Sequence, residues 1–259
     1  VQTESPKATS NRSLNPNVSI ILPCFNASHI ILDTLTRLTE FCVLHADELG
    51  SSEMIIVDDG SSDDTVSRVR EQFPDMSLIT LPRNQGKGAA VREGMQHATG
   101  RYRFFMDADM PYDLAAMLTM LRYLDFKEFD VVIGARDSRQ AEQLVKRSAM
   151  RRWSSAVFTE VISRLVVTGV KDTQCGFKGF RREAADYLFG TSKVNRFAFD
   201  VEVLYLAYKN DLDVKRVPVT LVTEDYSTVS VIRDGTRMLL DTILLPVRYY
   251  SGKYPMMGR

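Results

Sequence analysis

Short apolar runs that alternate with helix-period segments predict an α/β fold around a mostly parallel, doubly wound sheet. Three observations carry this expectation. The apolar runs Val18 to Pro23, Met54 to Val57 and Tyr102 to Met106 are too short for helices and end at turn or acidic residues. Between them lie stretches with apolar residues at helical spacing. The connections are short, as parallel strands joined by crossover helices require.

Val18 to Pro23 is the first predicted strand, and Ser28 to Val43 follows with a helical period. Met54 to Val57 is the second strand. Ser61 starts a turn, and Ser62 or Asp63 caps a helix through Phe73. Ser77 to Leu81 is a third strand. Gly86-Lys87-Gly88 opens the helix Ala89 to Ala98, and Tyr102 to Met106 is the fourth strand. Pro111 is expected to start a helix through Tyr123, with Asp130 to Ile133 as the next strand.

The second half is less regular. Gln143 to Thr168 reads as largely helical, and Asp172 to Phe180 as a Gly-punctuated strand or loop. Helices are expected at Arg181 to Phe189 and Phe199 to Lys209, and a strand at Val214 to Val222. Tyr226 to Asp234 reads as a loop. Gly235 to Tyr250 reads as a terminal helix interrupted near Pro246. The expected division is a tail at 1–17, halves of one domain at 18–137 and 138–236, and an amphipathic segment at 237–259.

Composition narrows the function classes. Lys plus Arg and Asp plus Glu both number 33, so the formal charge is zero and no dominant nucleic-acid surface is expected. Cys24, Cys42 and Cys175 have neither zinc-site spacing nor the pattern of a disulfide framework. A reducing compartment is the simpler reading. No run approaches the ~20 apolar residues of a membrane span. The segment from Met238 to Tyr250 is apolar and bordered by Arg237, Arg248 and Lys253. Core or homo-oligomer packing and contact with a bilayer surface are both open readings of it. The chain opens at Val1, as a processed chain or an expression fragment would, which leaves room for an anchor outside it.

Ligands of doubly wound sheets gather at the carboxyl ends of strands. Asp107-Ala108-Asp109 follows a predicted strand there and supplies hard oxygen ligands suited to Mg²⁺ or Mn²⁺ bridging a diphosphate. Asp58-Asp59 ends another strand. Asp58 is the choice for nucleobase recognition, because a carboxylate accepts ring N–H bonds; Asp59-Gly60-Ser61 also reads as a turn. Lys87, bracketed by Gly86 and Gly88 at a helix start, suits a nucleotide phosphate, although the spacing is not a P-loop. Arg136 lies near a strand end and reads either as a phosphate contact or as part of a solvated rim. Gln174 is a candidate for metal-bound water or sugar hydroxyls. Asp200 either caps its helix or, like Glu202, orients a sugar. Cys175 reads as a packed thiol.

These blocks resemble the inverting family-2 glycosyltransferases with the GT-A fold. The residues that carry the resemblance are Val18 to Asn26, Val57-Asp58-Asp59-Gly60-Ser61, Asn84 with Gly86-Lys87-Gly88, and Asp107-Ala108-Asp109. Asp172 to Lys178 and Phe199-Asp200-Val201-Glu202 are sharper, and look like the branch that glucosylates dolichyl and other polyprenyl phosphates. The resemblance implies UDP-glucose as donor, a polyprenyl phosphate as acceptor, and a β-linked product made at the cytoplasmic face of a membrane. It implies nucleotide contacts from Pro23, Phe25, Asn26, Asp58, Lys87, Gly88 and Ala108, and metal ligation by Asp107 and chiefly Asp109. Arg136, Arg147 and Arg151 would lie near donor or acceptor phosphates, with Gln174, Asp200, Glu202 and Arg233 on the sugar and acceptor side. Catalytic roles would fall to Asp109, Asp200, Gln174 and Arg136.

Two departures bear on these expectations. Ala27 stands where the family commonly has Glu, and Thr223 to Val229 lacks the Gly-Ser-Lys character of many lipid-phosphate enzymes. Arg233 is the candidate substitute cation. Transfer from another nucleotide sugar, or to a soluble hydroxyl acceptor, is the alternative.

Overall fold

The computed structural model describes residues 16–136, 175–222 and 233–257. Its centre is a seven-stranded sheet in the order β3-β2-β1-β4-β6-β5-β7. The strands are β1 (Val18–Cys24), β2 (Ser52–Asp58), β3 (Ser77–Thr80), β4 (Tyr102–Phe105), β5 (Val131–Arg136), β6 (Lys178–Arg181) and β7 (Val214–Val219). All neighbours pair in parallel except β6, which runs antiparallel to both β4 and β5. The described helices are α1 (Ile31–Leu44), α2 (Ala46–Leu49), α3 (Thr65–Gln72), α4 (Lys87–His97), α5 (Ala115–Asp125), α6 (Arg182–Thr191), α7 (Phe199–Lys209) and α8 (Arg233–Tyr250).

Strand alternation divides the core into two layers. Ile20 and Leu22 of β1 pack with Leu35 of α1, Val69 of α3 and Met117 of α5. Ile21 of the same strand joins Val91 of α4, Leu188 of α6, Leu204 of α7 and Leu245 of α8 on the other face. Because both faces are covered, β1 reads as an unbroken apolar run rather than an alternating one.

Two expected boundaries move. The helix predicted from Pro111 begins only at Ala115. Pro111 to Asp113 instead lies along residues 220–222: Val222 N–H donates to Pro111 O at 2.9 Å, and Asp113 N–H to Thr220 O at 3.0 Å. Asp113 Oδ1 then accepts the Ala115 N–H at 3.0 Å and opens α5. The break expected at Pro246 does not occur, and α8 continues through it. Proline costs about 3 kcal/mol inside a helix. Packing on both sides of it, with Leu245 fully buried and Tyr249 edge-on to Tyr205 of α7 at 5.6 Å, offsets that cost.

No helix among the described residues is long and apolar enough to cross a membrane. Gln174, Arg147, Arg151 and the expected helix at 143–168 lie outside the described residues, as does the Thr223 to Val229 block.

Candidate active site

The candidate site forms at the carboxyl ends of β1, β2 and β4, where strand order reverses about β1. Pro23 is in the last turn of the β1 ladder, paired with Val57. Phe25, just past the strand, is exposed. Asn26 follows in the left-handed region at φ 49°, a conformation that Asn tolerates better than most residues. Its Oδ1 accepts the Ser62 N–H at 2.9 Å, and its own N–H donates to Ser61 Oγ at 2.8 Å. Asn26 therefore ties the loop after β1 to the loop after β2. Ala27, where the family commonly has Glu, is buried and donates its N–H to Thr65 Oγ1 at 2.8 Å.

The two aspartates that end β2 divide their tasks. Asp59 sets the loop ahead of α4, accepting the N–H groups of Gln85 at 2.7 Å and Gly86 at 2.8 Å. Burial pushes its carboxyl upward against these two bonds. Asp58 Oδ2 accepts the Ser61 N–H at 3.1 Å. Its Oδ1 is buried with no hydrogen-bond partner among the described residues. An orphaned buried carboxylate oxygen is costly unless a donor arrives with a ligand. Gly60, which follows the two aspartates, has φ 70°, and a Cβ there would meet the Arg83 backbone at 2.5 Å. Burial, followed by Asp58, Asp63 and Asp59, pushes the nearby Cys24 thiol up to about 12, so Cys24 is no nucleophile at neutral pH.

The turn after β4 presents Asp107 and Asp109. Its backbone is pinned twice: Met110 N–H donates to Asp107 O at 3.0 Å, and Thr34 Oγ1 donates to Ala108 O at 2.5 Å. Lys87, the first residue of α4, reaches across so that its Nζ lies 2.5 Å from Asp107 Oδ1. Burial works against the Lys87 charge, but Asp107, Asp200 and Asp109 outweigh it and hold the ammonium above its ordinary range. Gly88 packs under the Phe199 side chain, 2.6 Å from where its Cβ would be.

Gly176 forms the wall behind Asp107. A Cβ on Gly176 would come within 1.8 Å of Asp107 Oδ2. Gly176→Ala is therefore expected to push Asp107 aside and weaken Mn²⁺ binding roughly tenfold, given ~1–3 kcal/mol for an overpacked contact. Electron paramagnetic resonance titration measures this. Gly190→Ala is the matched control, because its Cβ would meet nothing within 4 Å. Equal Mn²⁺ affinity in the two variants would remove Gly176 from the site.

Asp107 and Asp109 suit a small divalent cation, being paired oxygen donors on a fixed turn. Among the described residues no group of three or more His, Cys, Asp or Glu is placed to enclose a metal. A site of one or two carboxylates completed by water and substrate phosphate is the arrangement Mg²⁺ ordinarily takes.

Asp200 and Glu202 are both engaged by other parts of the protein. Asp200 lies in the first turn of α7 but makes no capping bond. It is buried, with Oδ1 2.5 Å from Nζ of Lys178, whose side chain is itself fully buried. Burial raises the Asp200 carboxyl, and Lys178 and Lys87 pull against that rise. Its charge is thus already matched by protein. Glu202, expected to orient a sugar, is instead engaged by four protein bonds. It accepts from Lys193 N–H on both oxygens at 3.0 Å, from Val194 N–H at 2.8 Å and from Tyr254 O–H at 2.5 Å. It holds the loop before α7 against the segment after α8.

Lys178 and Gly176 belong to the site but carried no assigned role in the sequence. A lysine between Phe177 and Gly179-Phe180 in a buried strand was the available signal, since such a charge needs a partner. Arg136 ends β5 opposite Val219, and Arg233 begins α8.

Residues 19–189 match the sequence profile of "Glycosyl transferase family 2". The chain is 32% identical to the dolichyl-phosphate beta-glucosyltransferase of Dictyostelium discoideum, over 97% of this chain and 81% of that one. It is 30% identical to the enzyme of that name from Saccharomyces cerevisiae, over 92% and 76%. Among solved structures, glucosyl-3-phosphoglycerate synthase from Mycobacterium tuberculosis, in complex with Mn²⁺ and UDP-glucose, superposes with a TM-score of 0.61 at 16% identity. That match covers 88% of this chain and 78% of the other. Mannosyl-3-phosphoglycerate synthase from Rubrobacter xylanophilus gives 0.65 at 15% identity, covering 93% and 76%. The pinned aspartate turn, the strand-end carboxylates and these likenesses converge: the chain belongs to glycosyl transferase family 2 and is a glycosyltransferase of GT-A fold.

Proposed function

We propose that the chain transfers glucose from UDP-glucose to dolichyl or another polyprenyl phosphate, with inversion, using Mg²⁺ or Mn²⁺. The observation that carries this reading is the strand-end constellation of Asp58, Lys87, Asp107 and Asp109, with Lys87 2.5 Å from Asp107. The names of the relatives at 30–32% identity support the glucosyl donor and the lipid-phosphate acceptor. The Mn²⁺ and UDP-glucose in the related fold support the cofactor and the nucleotide.

Asp107 and Asp109 would hold the metal, which when bound neutralises charge on the diphosphate as it departs. Asp58 Oδ1 receives the imide N–H of uracil, the donor its buried position lacks among the described residues. Lys87 at the start of α4 offers its ammonium to the diphosphate, where the helix N-terminus adds favourable partial charge. A lipid phosphate is anionic at neutral pH, so its oxygen attacks the anomeric carbon without a general base. The carbon–oxygen bond to UDP breaks from the opposite face, and UDP leaves with the electron pair. Asp200 positions the lysines, and Arg136, Arg147, Arg151, Gln174 and Arg233 are the proposed phosphate and sugar contacts.

Radiolabel transfer from UDP-glucose to dolichyl or undecaprenyl phosphate in detergent, with and without Mn²⁺, tests the reading. Metal-dependent label in the lipid phase is expected. Release of UDP only when a soluble acceptor is supplied would overturn the lipid assignment. Asp58→Ala is expected to weaken UDP binding roughly tenfold to a hundredfold, the scale of a lost hydrogen bond to a charged group. Unchanged affinity by calorimetry would remove Asp58 from base recognition.

A further inference from the structure

Helix α8 has three faces. Met238, Thr242, Leu245 and Tyr249 turn toward the protein, with Thr242 and Leu245 fully buried. Leu240, Leu244 and Val247 are 61%, 42% and 63% exposed, and recur at the i, i+4, i+7 spacing of one stripe. Ile243 and Tyr250 widen it, at 42% and 74% exposed. Such a stripe is costly in water without a partner.

The third face lines a cleft of about 610 Å³, between α8 and the loops that precede α4 and α7. Arg83, Lys193, Arg196, Arg237, Arg248 and Lys253 contribute six cations to its wall. The one carboxylate there, Asp241, is already bonded to Arg248 at 3.1 Å. In a chain with equal numbers of acidic and basic residues, this is a local concentration of charge and not a consequence of composition. The aspartates and Lys87 of the candidate active site do not line it. At 100° per residue, Leu244 adjoins the strip formed by Arg237, Asp241 and Arg248, so the apolar stripe borders the mouth of the cleft.

We propose that this cleft holds the phosphate headgroup of a membrane lipid while the outward stripe of α8 lies in the bilayer surface beside it. Charge complementarity selects a phosphate, and the bordering apolar stripe selects a lipid as its bearer over a free anion. The proposal rests on the lipid-phosphate reading of the active site only for its biological purpose, and its test needs neither nucleotide nor metal.

Cosedimentation with phosphatidylcholine vesicles, with and without phosphatidic acid, provides the measurement. Phosphatidic acid is expected to strengthen binding roughly tenfold or more, on the scale expected of several cations near an anionic surface, and 0.5 M salt is expected to remove the gain. Arg83 and Arg237 are exposed, so Arg83→Gln with Arg237→Gln should fold normally and lose most of that gain. Leu240→Glu with Val247→Glu should lose binding to both kinds of vesicle. Lys253→Gln, also exposed, is a second cleft variant with a smaller loss expected. A gain that both cleft variants retain would overturn the proposal. Calorimetric binding of inorganic phosphate without any vesicle gain would also overturn it, assigning a soluble anion instead. Transfer to dolichyl phosphate in detergent is assayed in parallel. Failure of the wild-type protein there would overturn the reaction, while the vesicle result still decides the dock.

Discussion

Asp109→Asn is expected to lower glucosyl transfer by about 10²–10³-fold, the scale seen when one preorganised electrostatic group is removed from an active site. The substitution keeps size and shape, and removes one negative charge from the pair proposed to hold the cation. The turn that presents residue 109 does not depend on its charge. It is pinned through backbone oxygens, by the Met110 N–H on Asp107 and the Thr34 hydroxyl on Ala108. The melting temperature is therefore expected to stay within a few degrees of the parent. Steady-state transfer at saturating Mg²⁺ or Mn²⁺ and Mn²⁺ affinity by electron paramagnetic resonance are the two readouts. Loss of both places Asp109 on the metal. Parent-like turnover would leave Asp107 alone as the metal carboxylate.

The first half of this fold is legible because the central strands β1 and β4 are buried on both faces and the long helices on one. Val18 to Pro23 and Met54 to Val57 are read directly as strands, and Asp58 stands at the end of the second. The order of the later strands is not legible. β6 lies between β4 and β5 and runs against both, yet its sequence Lys178-Gly179-Phe180-Arg181 shows neither an apolar run nor alternation. Gly179 is required there because Phe104 lies 2.4 Å from where its Cβ would be, and Lys178 is tolerated because Asp200 meets it. Both reasons are tertiary. Glu202 is similar: its partners Lys193 and Val194 lie in the loop just before α7 and Tyr254 lies beyond α8, so its saturation appears only in three dimensions. Asp58 is the opposite case: its place at a strand end is written in the sequence, and in the fold its Oδ1 is buried with no hydrogen-bond partner among the described residues.

Lys178→Met is expected to cost about 3–5 kcal/mol of stability, the scale of breaking a buried ion pair by removing one partner. Asp200 would remain in a site with about 4% of its surface exposed, with Lys87 left to oppose its charge from farther away. Denaturant unfolding at constant pH reads the loss, and a change below about 1 kcal/mol would mean that the pair is solvated. Lys178→Met combined with Asp200→Leu separates stability from chemistry, because replacing both charges by apolar groups is often neutral or stabilising. The double variant is expected to regain most of the stability and little of the transfer. Lys178 Nζ also donates to Cys175 O at 2.7 Å, the carbonyl just before Gly176. Gly176 in turn backs Asp107, and Asp200 contributes to the field at Lys87. The buried pair thus joins the wall behind the Asp107 turn to the lysine that faces it. A folded double variant with full transfer would show that this link carries stability alone.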